Sequence, residues 1–181
     1  MQQYDKNEFW QALKSGEFLH LVKEASVGES LNNPKEIFNT VKPLFDDTGI
    51  EMVYGIFFNA KNRLLGIEKL FSGTLTTCSV YPREIIKLTL KYKAAALVLA
   101  HNHPSGHCAP SSDDIYFTHK IIKALASIDV VLHDHIVIGE RYFSMAENDV
   151  ISTLQKKIDD QKVAELDSIR FIKDRILFAS T

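Results

Sequence analysis

The residues best placed to do chemistry lie in one run, His101-Asn102-His103-Pro104-Ser105-Gly106-His107-Cys108-Ala109-Pro110-Ser111-Ser112-Asp113-Asp114. Side chains alternate along a strand, so a His-x-His at a strand end turns both imidazoles to one side. A Pro/Gly-rich loop then brings the chain back, and Ser111 opens a helix that carries Asp114 on its first turn. Two neutral imidazoles and one carboxylate form a three-ligand set for a divalent cation, zinc above all, with a fourth position left to water. One such ion per chain, balanced by a single carboxylate, would acidify that water toward a pKa of about 7, from about 15.7 in bulk. Manganese or iron could use the same set. Each half of the pattern alone has a plainer reading. A strand-end His-x-His is often structural or solvated, and Ser-x-x-Asp is often only a helix cap. The combination at this spacing is what is specific.

The elements that must position these residues are legible around them. Ala94 to Ala100 is a continuous apolar run, as expected of a strand buried on both faces, and it leads directly into His101. Ser111 to Ile128 reads as a helix with Ile115, Ile122 and Leu125 on one stripe. Upstream, Asn33 caps a helix opened by Pro34, with an Ile37, Val41, Leu44 stripe that stops around Asp46 to Gly49. Glu51 to Phe58 is a strand, Asn59 to Asn62 a hairpin turn and Arg63 to Phe71 the returning strand. Pro82 opens a helix bearing Ile85, Ile86, Leu88 and Leu90. Val130 to Ile138 and Tyr142 to Met145 are strands joined at Gly139, and a long polar helix runs from about Asp149. Helices alternating with strands predict an α/β or mixed α+β sandwich.

Three parts follow: a helical arm over 1–33, a central domain over 34–148 and a helical extension over 149–181. In the arm, Phe9, Trp10 and Leu13 share one helical face, and Phe18, Leu19 and Val22 share another. With 181 residues, 45% of them apolar, the chain can bury a real core. A net charge of −2 with scattered Lys and Arg gives no support for a phosphate-gripping surface, so nucleic acid is not an expected partner. No apolar run approaches the roughly 18 residues of a membrane span, and the polar N-terminus carries no export signal. Two cysteines, Cys78 and Cys108, far apart in sequence, fit reduced thiols and a cytoplasmic location.

The pattern His101-x-His103, seven residues, Ser111-x-x-Asp114 resembles the JAMM signature of the MPN (JAB) metalloprotease family. The strings HNHPSG at 101–106, PS at 110–111, VYPRE at 80–84 and DHIVIG at 134–139 are similar to its RadC branch. The resemblance covers about residues 33 to 148. It implies a three-layer α-β-α, cytidine-deaminase-like fold with His101, His103 and Asp114 as zinc ligands. It also implies that Ser111 helps hold or polarise a tetrahedral intermediate. JAMM enzymes further need an upstream glutamate as general base, on the first sheet strand after the first core helix. Glu51 fits that place, with Glu68 as runner-up and Glu84 behind it.

What the resemblance implies is a hydrolase of amide bonds, a peptidase or isopeptidase, acting on an unidentified peptide or protein. The alternative is a metal-binding or DNA-repair-associated accessory protein without catalysis. Residues 1–33 are too short and glycine-poor to supply the helix-hairpin-helix region usual in RadC proteins. A nucleobase deaminase shares the fold class but wants His-x-Glu and Pro-Cys-x-x-Cys, and no Cys-x-x-Cys is present. His107 and Cys108 fit a flexible loop better than a ligand role. His135 reads as structural or as a partner of a metal-bound imidazole, and His133 as exposed. The terminal extensions leave homodimerisation open.

Overall fold

The computed structural model describes residues 23–24, 26–45, 49–73 and 81–179, with side chains through Ile169. Both apolar faces expected in the arm, and Cys78, lie outside the described residues.

Asn33 caps α1 (Pro34–Val41), its side chain accepting from Glu36 N at 2.9 Å, and Pro34 occupies the first turn. A short 3-10 turn, Lys42–Leu44, carries the apolar stripe on to Leu44. Strand β1 (Met52–Phe58) is buried at every residue. The Asn59 carboxamide accepts from the backbone of Lys61 and Arg63, and Asn62 takes a left-handed φ of 54°, which turns the chain into β2 (Leu64–Ser72). Then come α2 (Pro82–Tyr92), β3 (Ala96–Asn102), α3 (Ser112–Ala126), β4 (Val131–Ile138), β5 (Tyr142–Ser144) and α4 (Val150–Ala179).

The strands form one sheet in the order β2-β1-β3-β4-β5. β1 is antiparallel to both β2 and β3, β3 and β4 run parallel across the α3 crossover, and β5 folds back on β4. Two cores lie on its two faces. Val53, Phe57, Leu97 and Leu99 pack with Ile85 of α2, Phe117, Ile121 and Leu125 of α3, and Leu154 and Ile158 of α4. Tyr54, Ile56, Phe58, Val98, Ala100 and Ile136 pack with Ile37 and Val41 of α1. That is the three-layer α-β-α sandwich expected from the sequence. Among the described residues no helix is long and apolar enough to cross a membrane.

Of the apolar residues on α2, Ile85 is buried, as is Thr89, while Leu90 is 59% exposed. Five helical steps rotate Leu90 about 140° from Ile85, so it points away from the sheet once Ile85 docks. Strand β3 also starts two residues later than the apolar run, because Ala96 is where pairing with Phe58 begins.

Helix α2 approaches the sheet closely at Gly66. A Cβ there would lie 2.4 Å from the Tyr92 ring, which stacks on Phe57 with centroids 4.8 Å apart. Gly66→Ala is therefore expected to displace Tyr92 and lower unfolding stability by about 1–3 kcal/mol, measured by urea titration. An unchanged urea midpoint would contradict this packing.

Candidate metal centre

Sheet register assembles the site. Val53 of β1 faces His101 of β3, so the same antiparallel register, carried two residues on, sets Glu51 opposite His103. Alternation places His101 and His103 on the face of Leu97 and Leu99, which α3 covers. The N-terminus of α3 then delivers Asp114. Among the described residues, Glu51, His101, His103 and Asp114 each offer one ligand atom, all within 4.8 Å of one another.

The distances are those of a shared centre. His101 Nε2 lies 3.0 Å from His103 Nε2 and 3.1 Å from Asp114 Oδ1, and His103 Nε2 lies 3.4 Å from Asp114 Oδ2. His103 Nδ1 is 2.8 Å from the His107 carbonyl, which only accepts, so Nδ1 carries a proton and neutral His103 turns a lone pair inward at Nε2. A lone pair and a buried carboxylate so close require a cation between them, a proton or a metal ion. Two imidazole nitrogens and carboxylate oxygens are a donor set that suits zinc.

Asp114 is fixed before any cation arrives. Its Oδ2 accepts from Ser111 N at 2.7 Å and from Ser111 Oγ at 2.6 Å, while Asp114 N donates to Ser111 Oγ, a reciprocal capping box. Burial would raise the Asp114 carboxyl, but the neighbouring His101 and His103 imidazoles and the Ser111 hydroxyl outweigh it. They hold Asp114 well below the usual carboxylate range. The same carboxylate raises the His103 pKa against its burial, so protons compete with a metal for that nitrogen.

Three further contacts hold the cluster in place, the first through His135, which the sequence reading singles out. His135, fully buried, sets Nε2 2.8 Å from His101 Nδ1, and Thr118 Oγ1 is 2.6 Å from His135 Nδ1. Burial, with His101 beside it, pushes the His135 imidazole well below its ordinary pKa. Asn102, between the two ligands, accepts from Met52 N at 2.7 Å and donates to the Ile50 carbonyl at 3.1 Å. It thereby clamps the backbone on both sides of Glu51. The ligand loop docks on the β4–β5 turn, with His103 N donating to Ile138 O and Glu140 N to Gly106 O. Residue types alone do not show these contacts, although the position of Asn102 inside His-x-His was a signal.

Other candidates are not brought to the cluster. Glu68 accepts from Tyr92 OH at 2.7 Å and from Lys91 at 3.3 Å, and Glu84 lies 3.4 Å from Arg83 on exposed α2. The His107 side chain is exposed, Cys108 is a half-buried free thiol, and neither is among the four residues of the cluster. His133 is exposed, as expected, and meets Asn62.

The sequence model of the family described as RadC-like JAB domain matches residues 31–150. A UPF0758 protein of Janthinobacterium sp. is 44% identical over 129 residues, covering 71% of this chain and 58% of the relative. UPF0758 proteins of Thiobacillus denitrificans and Halorhodospira halophila are 41% and 39% identical, covering 70% and 73% of this chain and 57% and 59% of those relatives. The chain thus spans under three fifths of the length of these relatives.

A Cβ on Gly139 would lie 2.1 Å from the Gly106 carbonyl oxygen, so the turn admits the ligand loop only if this residue has no side chain. Gly139→Ala is expected to push the loop away and weaken divalent-ion binding by about 10-fold or more, read by chelator competition. Wild-type affinity in this variant would show that the docking does not place His103.

Proposed function

The chain belongs to the RadC-like JAB domain family, and from that premise we propose that the four-residue cluster is a zinc-dependent hydrolase site for amide bonds, of peptidase or isopeptidase type. The observation that carries this reading is the convergence of Glu51, His101, His103 and Asp114 within 4.8 Å. His101, His103 and Asp114 would hold the ion. When bound, it supplies Lewis acidity, polarising the scissile carbonyl and making water nucleophilic near neutral pH.

The two carboxylates differ in burial. Asp114 is buried and committed to Ser111, which suits a ligand. Glu51 is half-buried at the entry to β1, with its main chain held by Asn102 and its carbonyl accepting from Gly73. A carboxylate on a fixed backbone at the margin of the cluster suits a general base. Glu51 takes a proton from the attacking water and passes it to the leaving amine. Ser111 gives its hydroxyl to Asp114 Oδ2, so its first contribution is to orient that ligand. For it to polarise a tetrahedral intermediate as well, the hydroxyl must turn off the carboxylate. Beside His103 a cavity of about 290 Å³, lined by Lys42, Phe45, Pro104, Ile138 and Glu140, offers room for a substrate side chain.

Glu51→Gln is expected to retain the ion and lose turnover by about 10²–10⁴-fold, whereas His103→Ala is expected to lose both. The assay pairs metal analysis with cleavage of peptide and isopeptide libraries on the same samples. Full activity in E51Q would remove the base from the account. Stoichiometric metal without turnover on any library would leave a metal-binding module instead.

A further inference from the structure

We propose that Thr118 and His135 form a proton-ordered chain that presets His101 as a metal ligand, a positioning role that rests on the metal-site reading above. The order follows by elimination. Thr118 Oγ1 has one proton and two partners at 2.6 Å, the Asp114 carbonyl oxygen and His135 Nδ1, with Met145 Sδ farther off at 3.5 Å. A carbonyl oxygen can only accept. Were the hydroxyl proton given to His135, two oxygens would face each other at 2.6 Å with nothing between them. The proton therefore lies toward Asp114, and His135 Nδ1–H donates to Thr118.

His135 is fully buried and its ring nitrogens meet His101 and Thr118, neither of them a carboxylate that could balance a charge, so the ring is held neutral and, protonated at Nδ1, accepts at Nε2. His101 Nδ1, 2.8 Å from that atom, must then be the donor. That leaves the His101 lone pair on Nε2, the atom turned toward His103 Nε2 and the Asp114 carboxylate. Every member of the chain is buried, and no buried side-chain polar atom among the described residues lacks a partner. The chain starts from the main chain of Asp114, itself a ligand, so one turn of α3 both supplies a carboxylate and fixes the tautomer of the opposing imidazole. Metal-bound imidazoles commonly donate their second nitrogen to a carboxylate or carbonyl. Here the acceptor is neutral, so the order comes without adding a second negative charge beneath His101.

Two measurements test this. In metal-free wild-type protein, nitrogen-15 NMR of the imidazoles is expected to show His101 and His135 both as Nδ1–H tautomers; an Nε2–H tautomer at His101 would overturn the proposal. In Co²⁺ titrations against a competing chelator, His135→Leu is expected to weaken binding about 10–100-fold. His135→Gln, whose amide can accept from His101 and donate to Thr118, should recover most of that loss. Thr118→Val is expected to lose less than H135L, and Thr118→Ser to bind as wild type. An H135L protein that keeps the wild-type circular dichroism and Co²⁺ affinity would defeat the chain alone. Wild-type protein that binds Co²⁺ through this pattern but cleaves nothing would defeat only the hydrolase reading.

Discussion

At the end of β3, atoms that carry lone pairs or negative charge converge with no proton assured among them. His103 Nε2 and the Asp114 carboxylate lie 3.4 Å apart, with His101 Nε2 about equally near to both. Left unpaired, a buried carboxylate carries a desolvation cost of several kcal/mol. The arrangement therefore favours a positive charge at its centre, while the Ser111 bonds hold Asp114 in place.

Three independent parts of the fold meet to do this. The antiparallel pairing of β1 with β3 brings Glu51 level with His103. The parallel pairing of β3 with β4 sets His135 beside Leu99, one turn of the pleat from His101. The capping box at Ser111 fixes Asp114 through the same bonds that begin α3. Local rules and site geometry agree here, since the residue that starts the helix also aims the ligand. Glu51 sits half-buried at the entry to β1, with Asn102 bonded to the main chain on either side of it.

Much of this was legible in the sequence, and for a physical reason. Strand alternation and helix caps are local, so His-x-His and Ser-x-x-Asp predicted their own geometry. The sheet and the hairpin at Asn59 to Asn62 followed from periodicity and turn chemistry, and the three layers from the family resemblance. What stayed hidden depends on contacts far apart in sequence. Asn102 reaches fifty residues back to Met52, and Thr118 meets His135 only because α3 crosses over β4. The apolar residues of α2 do not by themselves say which side of the helix docks, and Leu90 is exposed. Glu68 and Glu51 are both strand acids, and only the register shows that Glu68 meets Tyr92 instead of the histidines.

The most direct test is the stoichiometry of tightly bound divalent metal in the purified chain, determined by elemental analysis beside His101→Ala. The account predicts one ion per wild-type chain, released by a strong chelator, recovered on adding zinc, and absent from H101A. A wild-type chain that binds no divalent ion under any loading, or an H101A chain that still holds one equivalent, would contradict the metal centre and the chemistry built on it.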